Sequence, residues 1–415
     1  MVPPISACNV GPLIAQDERD APMLFERAVV HEDDAPALHH HLFDHLIYSV
    51  VDDAGRASVF CGREDHAGLV HSRGIVVILL DEQRITAWQR RRVSVSRHEQ
   101  ESELKDIRAE FSEYAPIHSH ILQDVLARLD KTYQAFFRRA QRGEKAGFPR
   151  FKGRGRFHSF TYKEYGNGAT LDNGFLVLSK IGRIAVRWSR PIEGTPKTVT
   201  ISKEADGYYV AISCANVPVH PLPATGQETG IDMGLESFAT LANGQPIFNP
   251  GYYRKAEAYL RRCQRRVARR KRGSNRRAKA VKLLARAHQH VANQRRDFHH
   301  REATKLVMAY DSIAYENLRT ANMVMNHHLA KSISDAGWSQ FLSTLTFKAV
   351  GAGKRVEVVS PAYTSQACSG CGVIVQKGLS VRWHSCPDCG TSLYRDHNAA
   401  LNILRMAQEQ RSRPG

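Results

Sequence analysis

The chain lacks any apolar run long enough to cross a membrane. The longest near the start, "IVVILL" at 75–80, has six residues where a spanning helix needs about 20. That run suits a buried strand. The first residues also lack the basic-then-apolar pattern of a secretory signal. Cysteine is scarce, with eight in 415 residues, and Cys8, Cys61, Cys214 and Cys263 stand alone. This usage does not fit a disulfide scaffold, and a reducing, cytoplasmic compartment is expected. Lysine is absent before Lys105. Residues 1–80 carry twelve acids and five arginines, a net charge of −7. The whole chain carries +18, so residues 81–415 carry +25. Such an excess favours polyanionic partners, either nucleic acid or an acidic membrane surface.

The pattern along the chain implies an α+β protein of several domains. Residues 1–95 show no strong periodicity and differ in composition from the rest. Ten of the twenty histidines fall in the first 120 residues, including "HHH" at 39–41. They read as solvated histidines, with a metal site as the alternative. Residues 96–145 read as helical. Leu122, Val125, Leu126, Leu129, Tyr133, Phe136 and Phe137 form one apolar stripe at three- and four-residue steps, and Gly143 ends it. In "GFPRFKGRGRFHSF", aromatic and basic residues alternate. Phe148 and Phe151 can stack on bases while Arg150, Lys152 and Arg154 hold phosphates. A basic turn entering a strand is the plainer reading. Within the segment 146–225, residues 157–215 are rich in Val, Ile, Tyr, Phe and Thr between turn residues. That composition implies a small antiparallel barrel or sandwich. The Pro-rich "VPVHPLPATG" (217–226) marks a boundary.

A hairpin then opens the segment 226–362, and a strand follows at "SIAYENL". Between them, 252–309 reads as two helical pieces broken at "RGSN" (272–275). The first piece has Arg265, Arg266, Arg269 and Arg270 with few acids to balance them. Charges of one sign repel within a helix, and phosphates would relieve that cost. A solvated charge run is the bland reading. Residues 329–353 read as one further helix, 355–361 as a strand and 396–408 as a closing helix.

Two constellations carry chemistry. Cys368, Cys371, Cys386 and Cys389 have the spacing C-x2-C-x14-C-x2-C, which brings two thiolate knuckles to one ion. Zinc with four thiolates has no open position, so the site would be structural. Asp232, Glu316 and Asp396 are acids at the ends of two apolar strands and at a helix start. Each alone is more often a cap or a solvated residue. Together they suggest a βββαβ…α sheet with acids converging on one edge. Like charges repel, divalent cations relieve the repulsion, and two Mg2+ ions can clamp a phosphodiester.

From about residue 100 to the end, the chain resembles the TnpB (OrfB) proteins of insertion sequences, relatives of type V CRISPR effectors. The matching stretches are "GFPRF", "GIDMGL", the basic hairpin, "YENL", "LAKSISDAGW", "PAYTSQACSGCG", "CPDCG" and "RDHNAALNI". The resemblance implies a RuvC-like RNase H fold at 226–362 and 393–415, interrupted by a zinc module at 363–392. It implies a wedge-type β-barrel at 146–225 and a helical recognition segment at 96–145. It implies Mg2+ ligation by Asp232, Glu316 and Asp396, and structural Zn2+ on the four cysteines. Lys331, in the matching "LAKSISDAGW", would face nucleic acid. The implied activity is cleavage of double-stranded DNA beside a short motif, directed by a guide RNA from the element's own end.

Two departures stand out. The acidic "DRDEN"-type motif reads "YRDHN" here, with Tyr394 and His397 in place of acids. Residues 1–95 lack the expected first barrel strand and recognition helices, as a frameshifted, fused or misannotated start would produce. The leading expectation is an RNA-guided endonuclease. The alternative is a binding remnant with impaired catalysis. A transposase acting directly on DNA strands is the third reading.

Overall fold

In the computed structural model, the described residues are 24–30, 75–114, 116–149, 158–189, 191–378 and 381–412. They fall into two units divided in the chain between Val217 and Pro218.

The unit ending at Val217 has three helices, α1 (Ile75–Arg91), α2 (Arg97–Glu110) and α3 (Ser119–Gln141). The apolar run 75–80, expected as a strand, opens helix α1 instead. Six apolar residues fit either state, and the polar helix formers that follow extend the segment to 17 residues. Arg84 of α1 reaches Asp130 on α3 at 3.0 Å and Gln100 on α2 at 2.7 Å. A capping box starts α2: Ser96 N–H donates to Glu99 and Glu99 N–H to the Ser96 hydroxyl. Pro116 lies in the break between α2 and α3, where its ring forbids a continuous helix. Of the expected stripe on α3, Leu122, Leu126 and Tyr133 are buried, and Phe137 stays exposed.

The same unit holds a seven-stranded sheet in the order β2-β6-β7-β1-β5-β4-β3, with every pair antiparallel. Its strands are β1 (Leu24–Val30), β2 (Ser159–Tyr162), β3 (Ala169–Asp172), β4 (Phe175–Leu178), β5 (Gly182–Arg187), β6 (Thr195–Lys203) and β7 (Tyr208–Ala215). The expectation that residues 1–95 supply no strand is corrected here. β1 pairs with β7 along its whole length and with β5 at one end. The strand therefore lies within the segment whose composition differs from the rest. The rest of residues 1–74, including Cys8, Cys61 and the histidine run, lies outside the described residues.

The unit beginning at Pro218 is built on a five-stranded sheet in the order β10-β9-β8-β11-β12. Its strands are β8 (Glu228–Met233), β9 (Ser237–Leu241), β10 (Pro246–Phe248), β11 (Ser312–Glu316) and β12 (Arg355–Val359). The first three form an antiparallel meander, and β11 runs parallel to both β8 and β12. Between β10 and β11 lie α4 (Tyr252–Ala268) and α5 (Asn275–Ala309). Between β11 and β12 lie α6 (Thr320–Met323), α7 (His327–Ala336) and α8 (Trp338–Gly351). The hairpin β13 (Trp383–Ser385) and β14 (Ser392–Tyr394) leads directly into α9 (Arg395–Ser412).

Residues 329–353, expected as one helix, are divided between α7 and α8 at Gly337. Its φ of 66° is left-handed, and a Cβ there would meet Arg295 Cδ at 3.1 Å and His299 Cε1 at 3.2 Å. Glycine permits both the bend and the close approach.

Strand alternation sets the two faces of this sheet. Ile231, Met233 and Ile313 pack with Phe298 and Leu306 of α5 and Phe341 and Leu345 of α8. Their neighbours face the other way: Ala314 and Val359 pack with Ile403 and Ala407 of α9. Helix α9 therefore covers the face that carries Gly230, Asp232, Ala314 and Glu316.

Candidate functional site

The same alternation aims Asp232 and Glu316 toward α9. Tyr315 is opposite Ile231 in the parallel pair of β11 and β8, so the two acids come next on adjacent strands, about 5 Å apart at their backbones. Asp396 lies in the first turn of α9. A Cβ built on Gly234, just after β8, would lie 3.9 Å from Asp396 Oδ2. The helix can sit this low because Gly230 has no side chain. A Cβ there would be 2.1 Å from the Ala400 carbonyl oxygen and 2.7 Å from Leu404 N.

All three acids hold their protons more tightly than ordinary carboxylates. Protein encloses Asp232 on most sides, although part of its surface stays open. Burial raises its pKa well above the usual range, and repulsion from Glu316 and Asp396 raises it further. Burial raises Glu316, and a hydrogen bond from Thr364 opposes that shift. Burial also raises Asp396, against the pull of Arg382 and Arg395 and with a push from Glu236. Ionising all three sets like charges against one another, a cost that a bound cation would relieve.

The cysteines are gathered more tightly. Their sulfurs all lie within 4.8 Å of one another, the only such group of possible ligands among the described residues. Cys368 and Cys389 are 3.6 Å apart, as are Cys371 and Cys386. A tetrahedral ion with metal–sulfur bonds of about 2.3 Å needs sulfur separations of about 3.8 Å. The Thr391 hydroxyl and backbone pull the Cys389 thiol down to about 6, whereas the Cys371 thiol is pushed up to about 12, against a backbone hydrogen bond at Val373, by burial and the three neighbouring sulfurs.

The two departures from the family motif bond to groups other than the three acids. His397 Nε2 meets the Ala242 carbonyl at 3.0 Å, and its ring lies against Gly244. The Tyr394 hydroxyl donates to Glu236 at 3.2 Å. Sequence reasoning missed Glu236, Gly230, Thr364, Asn398 and Asn402. The last two are wholly buried on α9 and bind the loop entering the cysteine module. Their signal was two asparagines four apart on an otherwise apolar helix face, where an amide must find partners.

The expected nucleic-acid residues fare unevenly. Arg265, Arg266, Arg269 and Arg270 are exposed on α4 and just beyond it. None forms an ion pair with an acid among the described residues. Lys331 is engaged by Glu257 at 2.5 Å, and Glu257 also holds Arg261. Its charge is thus already partnered. Phe148 is half exposed and sets its ring edge-on to Tyr133 and Phe136 of α3. Arg150, Phe151, Lys152 and Arg154 lie outside the described residues.

Residues 210–327 match the family model OrfB_IS605, described as a probable transposase, and residues 338–403 match a Cas12f1-like TNB domain. A Streptomyces pristinaespiralis protein named "Putative RNA-guided DNA endonuclease" is 37% identical over 290 residues, covering 68% of this chain and 70% of that protein. The chain belongs to the TnpB (OrfB) family. A second TnpB relative, Escherichia coli K12 "Putative RNA-guided DNA endonuclease InsQ", is 34% identical and covers 69% of this chain and 74% of its own length. A solved CRISPR-Cas12f ternary complex aligns over 92% of this chain and 98% of its own at 12% identity, with a TM-score of 0.35, a likeness too loose to fix the fold. Among the described residues, no helix of this TnpB protein is long and apolar enough to cross a membrane.

Proposed function

We propose that this TnpB protein is a magnesium-dependent, RNA-guided DNA endonuclease with its metal held by Asp232, Glu316 and Asp396. The observation that carries the reading is the convergence of these acids from β8, β11 and α9 on one sheet face, all with raised pKa values. The antiparallel meander followed by two parallel strands supports a RuvC-like reading of this unit. When bound, divalent ions supply the charge that stabilises displacement at a phosphodiester. The protein supplies the three oriented carboxylates, and Arg382 and Arg395 add positive charge beside Asp396. The seven-stranded sheet serves in this reading as the wedge-type barrel, and guide RNA and duplex DNA are the partners. Cleavage of a plasmid matching the guide, lost on magnesium removal, is the expected result. Cleavage that ignores the guide sequence would contradict it.

The four cysteines hold structural zinc in this reading. Purified protein is expected to carry about one zinc per chain. Cys386→Ser should lose that zinc and lower the melting temperature, read by metal analysis and calorimetry. A zinc-free wild type with an unchanged melt would refute the assignment.

The arginine surface of α4 contacts nucleic-acid backbone. Replacing Arg265, Arg266, Arg269 and Arg270 by Gln should flatten the slope of log affinity against log salt by roughly 3, at about 0.7–0.9 per phosphate contact. An unchanged slope would remove these residues from the interface.

A further inference from the structure

We propose that Thr364, Asn398 and Asn402 are positioning residues that join the cysteine module to the acid site. This rests on the reading of Glu316 and Asp396 as metal ligands. Thr364 is 4% exposed, and its hydroxyl donates to Glu316 Oε1. That bond fixes the carboxylate and leaves Oε2 for a cation. The Thr364 carbonyl accepts from Asn402 Nδ2 at 2.8 Å, and the same amide reaches the Ala367 carbonyl at 2.8 Å. Asn398 Nδ2 donates to that carbonyl at 2.7 Å, and its Oδ1 accepts from Ser369 N–H at 2.9 Å. Ala367 and Ser369 flank the ligand cysteine Cys368.

One short loop is thus gripped at both ends. Its first part holds Glu316, and its last part carries a cysteine of the cluster. Both parts are tied to the helix whose first turn holds Asp396. Tyr363, just before Thr364, has a φ of 62°, a left-handed conformation uncommon for a tyrosine. Its carbonyl accepts from Gln366 N–H at 3.0 Å and Ala367 N–H at 2.8 Å, which closes the loop on itself. A buried polar network satisfied at this many points specifies a single geometry. Groups behind metal ligands typically change affinity by 10–100-fold when lost.

The test uses zinc-loaded full-length protein and Mn2+ binding read by electron paramagnetic resonance, beside the magnesium dependence of cleavage. Thr364→Val keeps the shape and removes the donor. It should weaken Mn2+ binding about tenfold and raise half-saturating magnesium about tenfold, with zinc content unchanged. Thr364→Ser should restore both. Asn402→Ala, which leaves Thr364 in place but frees its carbonyl, should shift both in the same direction and serves if Thr364→Val fails to fold. Wild-type affinity in Thr364→Val and Asn402→Ala, or no rescue by Ser, overturns the relay. Asp232→Asn is the control: if it binds Mn2+ like wild type, the metal-site reading itself fails and takes the relay with it.

Discussion

Asp232→Asn is expected to raise the melting temperature of the magnesium-free protein while abolishing cleavage. The folded pKa of Asp232 lies well above its ordinary value. Below the unfolded pKa both states are protonated, and the group costs nothing. As pH rises toward the folded pKa, the unfolded chain releases its proton while the folded one keeps it, so stability falls. Near pH 7 that penalty is in place, and an amide removes it. Each kcal/mol recovered moves the melt by about 2–4 °C in a unit of this size. Magnesium should raise the wild-type melt and leave the variant unmoved, because an ion that binds only the folded state stabilises it. Half-saturating magnesium should fall as pH rises, since the ion needs ionised carboxylates. A lower melt for the variant with its magnesium shift intact would contradict this.

Gly230→Ala should be the most damaging single methyl in the sheet. The new carbon would lie 2.1 Å from the Ala400 oxygen and 2.7 Å from Leu404 N, both backbone atoms of α9. No rotamer change relieves a backbone clash, so the helix must lift from β8 and carry Asp396 with it. Overpacking costs about 1–3 kcal/mol, and a clash with rigid backbone belongs at the upper end. The melt should fall by several degrees, and cleavage should be lost at temperatures where the variant is still folded. Gly351→Ala, at the end of α8 with nothing within 4 Å of the new carbon, is the control and should be near neutral. A Gly230→Ala variant that melts with the wild type would show that α9 does not depend on this contact.

The cysteine cluster was legible because its signal is local: two pairs at knuckle spacing keep their meaning without long-range information, and their sulfurs gather in the fold. The three acids rested mainly on resemblance to a family, since each alone reads as a cap or a solvated residue. Most of the misses have the opposite cause. The segment Leu24–Val30 becomes a strand through pairing with β7, nearly 200 residues away, which no window of sequence contains. The six apolar residues at 75–80 fit helix or strand equally, and only their continuation decides. Thr364 gains its role from Glu316, 48 residues earlier in the chain. Lys331 was expected to face nucleic acid, and its partner Glu257 lies 74 residues away. The acidic positions filled by Tyr394 and His397 looked like damage to the site. In space they brace a turn and a neighbouring acid.

The most direct measurement is plasmid cleavage by protein purified with RNA from its element's flank, comparing wild type with Asp232→Asn. The account predicts copurifying RNA with both proteins. It predicts magnesium-dependent cutting of the guide-matched plasmid by wild type, and none by the variant. Equal cutting by the two proteins, or no guided cutting by wild type, would contradict it.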